Sequence, residues 1–311
     1  MKLLIINNLK SGFGEGSIYD FMRAFAQDGD EICLRSTDGE SKLVDLLADA
    51  QNFDGVIASG GDGTVAAVSY ILRNTGIPIL PFPAGTANLL ALNLASPIET
   101  HALGKMMRKG KQLDFDMGEI EVGGQRFGFS IMAGAGYDAA IMHGAQHTKR
   151  FLGPMAYISA AIANPIPQKS HFTIKLDGTT IESDGVGVLL INFSKIQFDL
   201  SVTHDNRPRD GALDIVILKA TYALQLIPAI VAAALDRDGD FPDRSDALEI
   251  HSAREIEVIA TPPMEVQYDG ETTGALTPFK AHILDKATRL IVSDEGYDLF
   301  RESPSKPSAT R

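Results

Sequence analysis

A glycine-rich turn near residue 60 has the residue types that bind phosphate. Residues 59–64 read Ser-Gly-Gly-Asp-Gly-Thr and lie between the apolar run at 56–58 and a segment with helical spacing. Glycine tolerates positive φ and lets backbone N–H groups approach phosphate oxygens, and a helix N-terminus adds about half a positive charge. Asp62 would repel an anion there unless it faces Mg²⁺ or a proton-bearing group. The predicted phosphate site consists of Gly60, Gly61, Asp62, Gly63 and Thr64.

Two further polar turns follow predicted strands in the same way. They cover residues 8–14 and 83–88, and their candidate binding residues are Asn8, Ser11, Gly12, Gly85, Thr86 and Asn88. In a parallel sheet such turns lie at one carboxyl edge, where ligands bind. The alternative for the turn at 59–64 is a tight strand-to-helix turn with Thr64 as the N-cap residue, and the alternative for the turn at 83–88 is a helix cap. Lys10 is either a phosphate partner or a surface residue. Together the three turns indicate one nucleotide site.

The segments around these turns alternate between strand and helix patterns. Strands are predicted at 3–6, 31–35, 55–58 and 77–81, and helices at 17–26, 41–50, 64–73 and 88–94. Such alternation with short connections favours a parallel, helix-covered sheet. After about residue 114 the pattern changes to strands at 118–121, 126–133, 171–176, 185–193, 213–218, 255–260 and 264–268. That series is typical of an antiparallel β-sandwich. The fold class expected is an N-terminal α/β domain followed by an antiparallel sandwich.

Composition excludes several classes of function. The chain has 311 residues, and its 28 basic and 40 acidic residues give a net charge of -12, which disfavours a general nucleic-acid binder. The single cysteine, Cys33, cannot form an intramolecular disulfide, which fits a reducing cytoplasm. Two apolar helical stretches at 154–163 and 224–235 fall short of the ~20 residues that span a bilayer. We expect any membrane contact to be peripheral, from one side.

The three turns, in this order, resemble those of the diacylglycerol kinase catalytic-domain family, which includes bacterial lipid kinases and sphingosine and ceramide kinases. Residues 8–14 resemble its Asn-Pro-x-Ser-Gly turn, 60–64 its phosphate-binding loop and 85–88 its Gly-Thr-Gly-Asn loop. Further segments at 114–118, 135–138, 210–214 and 269–271 complete the ordered set. Departures at Leu9, Ala87 and Leu89-Leu90 affect substrate identity more than nucleotide binding.

The resemblance implies a domain arrangement and two cofactors. An ATP-binding domain would comprise residues 1–115 with a returning segment at 288–311, and a lipid-binding sandwich would comprise 116–287. The active site would lie in the cleft between them and use ATP and Mg²⁺. A threonine contacting the nucleotide would be Thr37, with Ser36 as its competitor.

The resemblance also implies which residues carry the chemistry. The general base lies in the turn at 269–271, so either Asp269 or Glu271 would accept the hydroxyl proton. An exposed hairpin turn is the ordinary alternative for Asp-Gly. Asp62 would organise Mg²⁺ and the γ-phosphate, and Asp116 would extend that network. A structural Mg²⁺ would be bound by Asp210 with the carbonyl groups of Arg207 and Ala212, in a turn that is otherwise a plain β-turn.

The function expected from this resemblance is ATP-dependent phosphorylation of a membrane lipid, diacylglycerol first. The alternatives are a sphingoid-base or ceramide kinase, then an NAD kinase, then a nucleotide- or lipid-binding protein without turnover. NAD kinases share the Gly-Gly-Asp-Gly-Thr turn, but their Gly-x-x-x-Gly-Phe-Leu segment is absent here. The enzyme would work in the cytoplasm at the inner face of the membrane. Its oligomeric state is open, with a homodimer as one alternative.

Overall fold

The computed structural model describes residues 1–11, 16–38, 42–136, 168–193, 195–196, 200–201, 207–219 and 248–302. These residues form two compact units. The first unit comprises residues 1–117, 208–210 and 284–302, and the second comprises 118–207 and 211–283 where described. The predicted apolar helices at 154–163 and 224–235 lie outside the described residues.

Strands and helices alternate over residues 2–93, as predicted, and a further helix that was not predicted follows at 100–109. In chain order they are β1 (Lys2–Asn8), α1 (Ser17–Phe25), β2 (Glu31–Thr37), α2 (Leu43–Leu46), β3 (Gly55–Gly60), α3 (Asp62–Ile71), β4 (Ile79–Pro83), α4 (Leu89–Asn93) and α5 (Thr100–Lys109). The predicted helix at 41–50 is only the short α2, followed by a 3-10 turn at Ala50–Asn52.

Strands dominate the rest of the described chain. They are β5 (Lys111–Val122), β6 (Gln125–Phe129), β7 (Met132–Gly136), β8 (Ser170–Leu176), β9 (Thr179–Gly185), β10 (Gly187–Ile191), β11 (Lys195–Ile196), β12 (Leu200–Ser201), β13 (Leu213–Leu218), β14 (Leu248–Ala253), β15 (Glu255–Thr261), β16 (Glu265–Tyr268), β17 (Glu271–Leu276) and β18 (Phe279–Val292), followed by α6 (Asp294–Phe300). No helix among the described residues is long and apolar enough to cross a membrane.

The first unit is built on a parallel sheet. Its strand order is β2-β1-β3-β4-β18, and every pairing in it is parallel. β1 and β3 are buried along nearly their whole length, as strands covered on both faces are. On one face α1 packs against α5, where Phe21 and Phe25 join Leu103 and Met106 in a buried cluster. The returning strand β18 extends this sheet through the pair Leu290 and Ile79.

The second unit is an antiparallel sandwich. One sheet has the order β14-β13-β10-β7-β16-β17, and β15, β8 and β9 form an antiparallel run in the other. Buried and exposed residues alternate along β8 and β15, so each strand turns one face to the core. Phe172, Val188 and Ile215 belong to the same buried cluster, although they come from both sheets. Both parts of the predicted fold class are confirmed.

Candidate functional site

The first two glycine-containing turns of the first unit are joined by side-chain hydrogen bonds. Asn8, at the end of β1, donates from Nδ2 to Oγ1 of Thr64 over 2.9 Å. The backbone N–H of Gly61 donates to Oγ of Ser11 over 3.1 Å. Because β1 and β3 are parallel neighbours, both turns leave the same edge of the sheet. The sequence argument placed them together on this ground.

Asp62 links the second turn to the third. Its Oδ1 accepts the backbone N–H of Leu90 over 3.0 Å, so the carboxylate caps the start of α4. Asn88 adopts a left-handed conformation with φ 51° and closes its own loop. Its Oδ1 accepts the N–H of Gly85 over 2.8 Å, and its Nδ2 donates to the Gly85 carbonyl over 2.9 Å. Asp62 therefore holds the third turn in place.

Two glycines of these turns leave no space for a side chain, Gly85 where two turns touch and Gly60 within its own turn. A Cβ on Gly85 would lie 2.5 Å from the Cα of Gly61, so the two backbones are in direct contact. A Cβ on Gly60 would lie 2.6 Å from the Cβ of Thr64. At Gly61, in contrast, the nearest atom to an added Cβ is 3.9 Å away. A Cβ at Gly61 would thus make only an ordinary van der Waals contact, with the Cα of Gly85.

The other predicted binding residues lie near these contacts, with one exception. Thr37 ends β2 and is buried, and its carbonyl accepts the N–H of Leu9 over 2.8 Å. Thr86 is exposed at the tip of the third turn. The N–H of Lys10 donates to Oδ1 of Asn8 over 3.0 Å, while the Lys10 side chain is exposed. Gly12 lies outside the described residues.

A buried polar pair beneath the turns was not predicted. Oγ of Ser59 donates to Oδ1 of Asn7 over 2.9 Å, and both side chains are buried. A buried hydroxyl needs a partner, and this one fixes the ends of β1 and β3 to each other. The sequence feature that could have revealed this pair is a polar residue directly after each of two apolar runs, Asn7 after 3–6 and Ser59 after 56–58.

The turn at 269–271 in the second unit is a two-residue β-hairpin. Tyr268 pairs with Glu271, and both central residues have positive φ, 42° at Asp269 and 87° at Gly270. Positive φ at both positions defines the type I′ turn that Asp-Gly favours. The backbone therefore adopts the hairpin turn that the sequence analysis gave as the ordinary alternative for Asp-Gly. Any catalytic role has to be argued from the side chains of Asp269 and Glu271.

Asp269 and Glu271 differ in their surroundings. Oδ1 of Asp269 accepts the N–H groups of Ile131 and Met132 over 2.9 and 3.0 Å, and Oδ2 accepts that of Ser130 over 2.7 Å. Glu271 is exposed, and its carboxylate makes no hydrogen bond or ion pair within the described residues. Burial, followed by the charges of Glu271 and Asp269, raises the pKa of Tyr268, so that phenol stays neutral. The Glu271 carboxylate is the more accessible of the two.

The four predicted metal ligands are spread over both units. Asp116 is buried in the first unit, where its Oδ1 accepts the N–H of Lys286 over 2.7 Å and its N–H donates to the Pro208 carbonyl over 2.9 Å. Asp210 also belongs to the first unit, whereas Arg207 and Ala212 belong to the second. Gly211 has φ 73°, which fits the predicted turn.

Two family models match most of the chain. Residues 2–120 match the diacylglycerol kinase catalytic domain. Residues 131–292 match the YegS C-terminal NAD kinase β-sandwich-like domain. The chain belongs to the diacylglycerol kinase catalytic-domain family. The resemblance drawn from the turns is thereby confirmed, and a kinase family implies ATP as the phosphoryl donor.

Relatives within this family are distant in sequence. The chain is 29% identical over 82% of its length to the uncharacterised protein sll0036 of Synechocystis, and it spans 58% of that protein. It is also 29% identical over 60% of its length to a diacylglycerol kinase of Mycobacterium tuberculosis, and it spans 62% of that enzyme. The chain thus covers less than two thirds of these two relatives.

The fold of the diacylglycerol kinase family is shared over nearly the whole chain. A crystal structure of a diacylglycerol kinase from Bacillus anthracis superposes with a TM-score of 0.69 at 20% identity, covering 94% of this chain and 97% of that one. At this identity the similarity concerns the fold. The three turns at the sheet edge all lie within the matched catalytic domain.

Proposed function

We propose that this protein transfers the γ-phosphoryl group of ATP to the hydroxyl of a membrane lipid, and that the lipid is diacylglycerol. The observation that carries the proposal is the interlocked set of three turns at one sheet edge, tied by Asn8 to Thr64 and by Asp62 to Leu90. Such turns before helices bind phosphate groups in parallel α/β domains. The names of the Mycobacterium and Bacillus relatives support diacylglycerol as the acceptor.

Nucleotide binding would use the open side of the second turn. Gly61 precedes the N-terminus of α3 and has no side chain to keep a phosphate away, and Ser11, Thr64 and Asn8 supply hydroxyl and amide groups nearby. These oxygen donors, with the Asp62 carboxylate, suit a hard cation such as Mg²⁺. Asp62 would hold that ion. When bound, Mg²⁺ neutralises charge on the transferring phosphoryl group.

Proton removal from the lipid would be the role of Glu271. Its carboxylate is exposed and makes no hydrogen bond or ion pair within the described part of the chain, so it can accept a proton. The hydroxyl oxygen attacks the γ-phosphorus, the bond from that phosphorus to the bridging oxygen of ADP breaks, and the hydroxyl proton passes to Glu271. The products are phosphatidic acid and ADP. A positioned general base typically contributes ~10²–10⁴-fold to such a reaction.

The proposal extends to metal and membrane partners. A second Mg²⁺ would be held by Asp210 and the carbonyl groups of Arg207 and Ala212, and Asp116 would extend the network from Asp62. Because the substrate resides in a bilayer, the enzyme would work as a peripheral protein at the inner face of the cytoplasmic membrane. A homodimer is compatible with this role.

A substrate screen tests the proposal. Purified protein with γ-labelled ATP is incubated with diacylglycerol, ceramide, a sphingoid base or NAD, the lipids in mixed micelles. Label in phosphatidic acid supports it. Label in a phosphorylated sphingolipid would replace diacylglycerol with a sphingolipid as the proposed substrate. Label in NADP would identify an NAD kinase, and no label with any acceptor would favour a binding protein without turnover.

A further inference from the structure

The corner between β6 and β7 has every backbone polar group occupied. It comprises Ser130, Ile131 and the first residue of β7, Met132, all of which the sequence analysis predicted inside one continuous strand. Their three N–H groups all donate to the carboxylate of Asp269, at 2.7, 2.9 and 3.0 Å. Three successive N–H groups converging on one carboxylate form strong, charge-assisted hydrogen bonds.

The three carbonyl groups of the same corner are held from both sides. Nδ2 of Asn192 donates to the Ser130 carbonyl over 2.8 Å, and its backbone N–H donates to the Ile131 carbonyl over 2.9 Å. The N–H of Asp269 donates to the Met132 carbonyl over 2.8 Å. Asn192 follows β10 and Asp269 follows β16, and these are the two neighbours of β7 in the sheet.

We call the hydrogen bonds that Asp269 and Asn192 make to residues 130–132 the clamp. The clamp fixes the hairpin that carries Glu271. Only Gly270 separates Asp269 from Glu271, and both turn residues have positive φ. On the other side of the turn, the ring of Tyr268 packs on Phe127 with centroids 4.9 Å apart. The Glu271 backbone is therefore held on a rigid element, while its side chain reaches into solvent.

We propose that Asp269 is a positioning residue, not the proton acceptor, and that with Asn192 it locks the 130–132 corner to orient Glu271 for proton transfer. This inference rests on the proposed function. Both oxygens of Asp269 already accept backbone N–H groups, so a proton on either would break part of the clamp. A type I′ turn needs Asn or Asp followed by Gly only for its backbone, so the three N–H groups held by the half-buried Asp269 carboxylate give it a task beyond the turn.

Three variants of the full chain separate the roles. Asp269→Asn keeps the turn preference but places an amide N–H₂ against the N–H groups of the corner. Asn192→Ala removes the bond to the Ser130 carbonyl without touching the hairpin. Glu271→Gln removes the base and leaves the clamp. For each variant we measure kcat and the ATP KM with diacylglycerol as acceptor, the pH dependence of kcat, and hydrogen exchange of amides 130–132.

The expected results differ in kind. Glu271→Gln lowers kcat by ~10²–10⁴-fold, removes the rise of kcat with pH that a general base causes, and leaves exchange at the corner unchanged. Asp269→Asn and Asn192→Ala lower kcat by up to ~10²-fold, because misplaced groups lose rate steeply, and they keep both the pH rise and the ATP KM. Both accelerate exchange at 130–132.

Two results would overturn the inference. One is loss of the pH-dependent rise in Asp269→Asn with its retention in Glu271→Gln, since Asp269 would then be the base. The other is full kcat in both clamp variants. If Asp269→Asn does not fold, Asn192→Ala decides alone. A protein that phosphorylates no lipid would refute the proposed function instead, and unchanged exchange in the clamp variants would still refute the clamp.

Discussion

Replacing Gly85 with Ala should disrupt the nucleotide site by separating two turns that now touch. The added Cβ would lie 2.5 Å from the Cα and 3.1 Å from the N of Gly61, whereas carbon atoms in contact prefer about 3.5–4.0 Å. The third turn must therefore move by roughly 1 Å. Overpacking of this kind costs about 1–3 kcal/mol, and here the obstacle is backbone, which cannot swing aside.

The cost should appear in nucleotide affinity. If the displaced turn has to return for ATP to bind, a penalty of about 1–3 kcal/mol weakens binding by roughly 5- to 150-fold. Isothermal titration with a non-hydrolysable ATP analogue measures this directly, and thermal melting reports the stability of the same samples. Unchanged affinity together with an unchanged melting temperature would refute the idea that contact between Gly61 and Gly85 shapes the site.

Two glycines provide matched controls for this experiment. Gly104, in α5, has only ordinary contacts near an added Cβ, the closest at 3.8 Å from Phe25. Gly104→Ala should bind ATP normally and melt no lower, because alanine is about 1 kcal/mol better than glycine inside a helix. Gly61→Val should block the phosphate site but should melt higher than Gly85→Ala, because a Cβ at Gly61 meets only an ordinary contact, 3.9 Å from the Cα of Gly85.

Three further outcomes follow from the same contacts. Asp62→Asn should keep the hydrogen bond from the Leu90 N–H yet weaken Mg²⁺-dependent turnover. Asp62→Ala loses that bond and should also lower the melting temperature. Mg²⁺ titrations and melting curves of both variants separate the two effects. Burial would raise the pKa of Glu249, but hydrogen bonds from Lys219, His251 and Ser183 outweigh it and lower that pKa to about 2 from 4.5. Its stabilising contribution is therefore present above pH 4.5 and lost as the pH falls toward 2, so the unfolding free energy of Glu249→Gln should fall less steeply across that range in urea titrations. The full chain should float with vesicles that contain diacylglycerol, and failure to bind vesicles of any composition would contradict a membrane substrate.

The sequence predicted most of the first unit because its signals are local. Short apolar runs that end in polar or glycine-rich turns predicted β1, β3 and β4, and the rule that parallel strands share a carboxyl edge brought their turns together. The 14-residue strand β18 was missed because Asp285 and Lys286 interrupt its apolar pattern, and Lys286 has φ 48°. The amphipathic helix α5 was missed as well.

The clamp at Asp269 could not be predicted from local pattern. Its partners at 130–132 lie 137 to 139 residues earlier in the chain, and they are backbone N–H groups, which leave no trace in the sequence. The same contacts explain why the predicted strand at 126–133 is two strands, β6 and β7, with a corner between them. Long-range hydrogen bonds to backbone N–H groups thus account both for the unpredicted role of Asp269 and for the division of the predicted strand.

The most direct test of the account is transfer of labelled γ-phosphate from ATP to diacylglycerol in mixed micelles, measured side by side for the unaltered protein, Gly61→Val and Glu271→Gln. The account predicts labelled phosphatidic acid from the unaltered protein, none from Gly61→Val because ATP does not bind, and ~10²–10⁴-fold slower formation from Glu271→Gln with ATP binding intact. Equal rates of phosphatidic acid formation by all three proteins, or label in NADP instead, would contradict it.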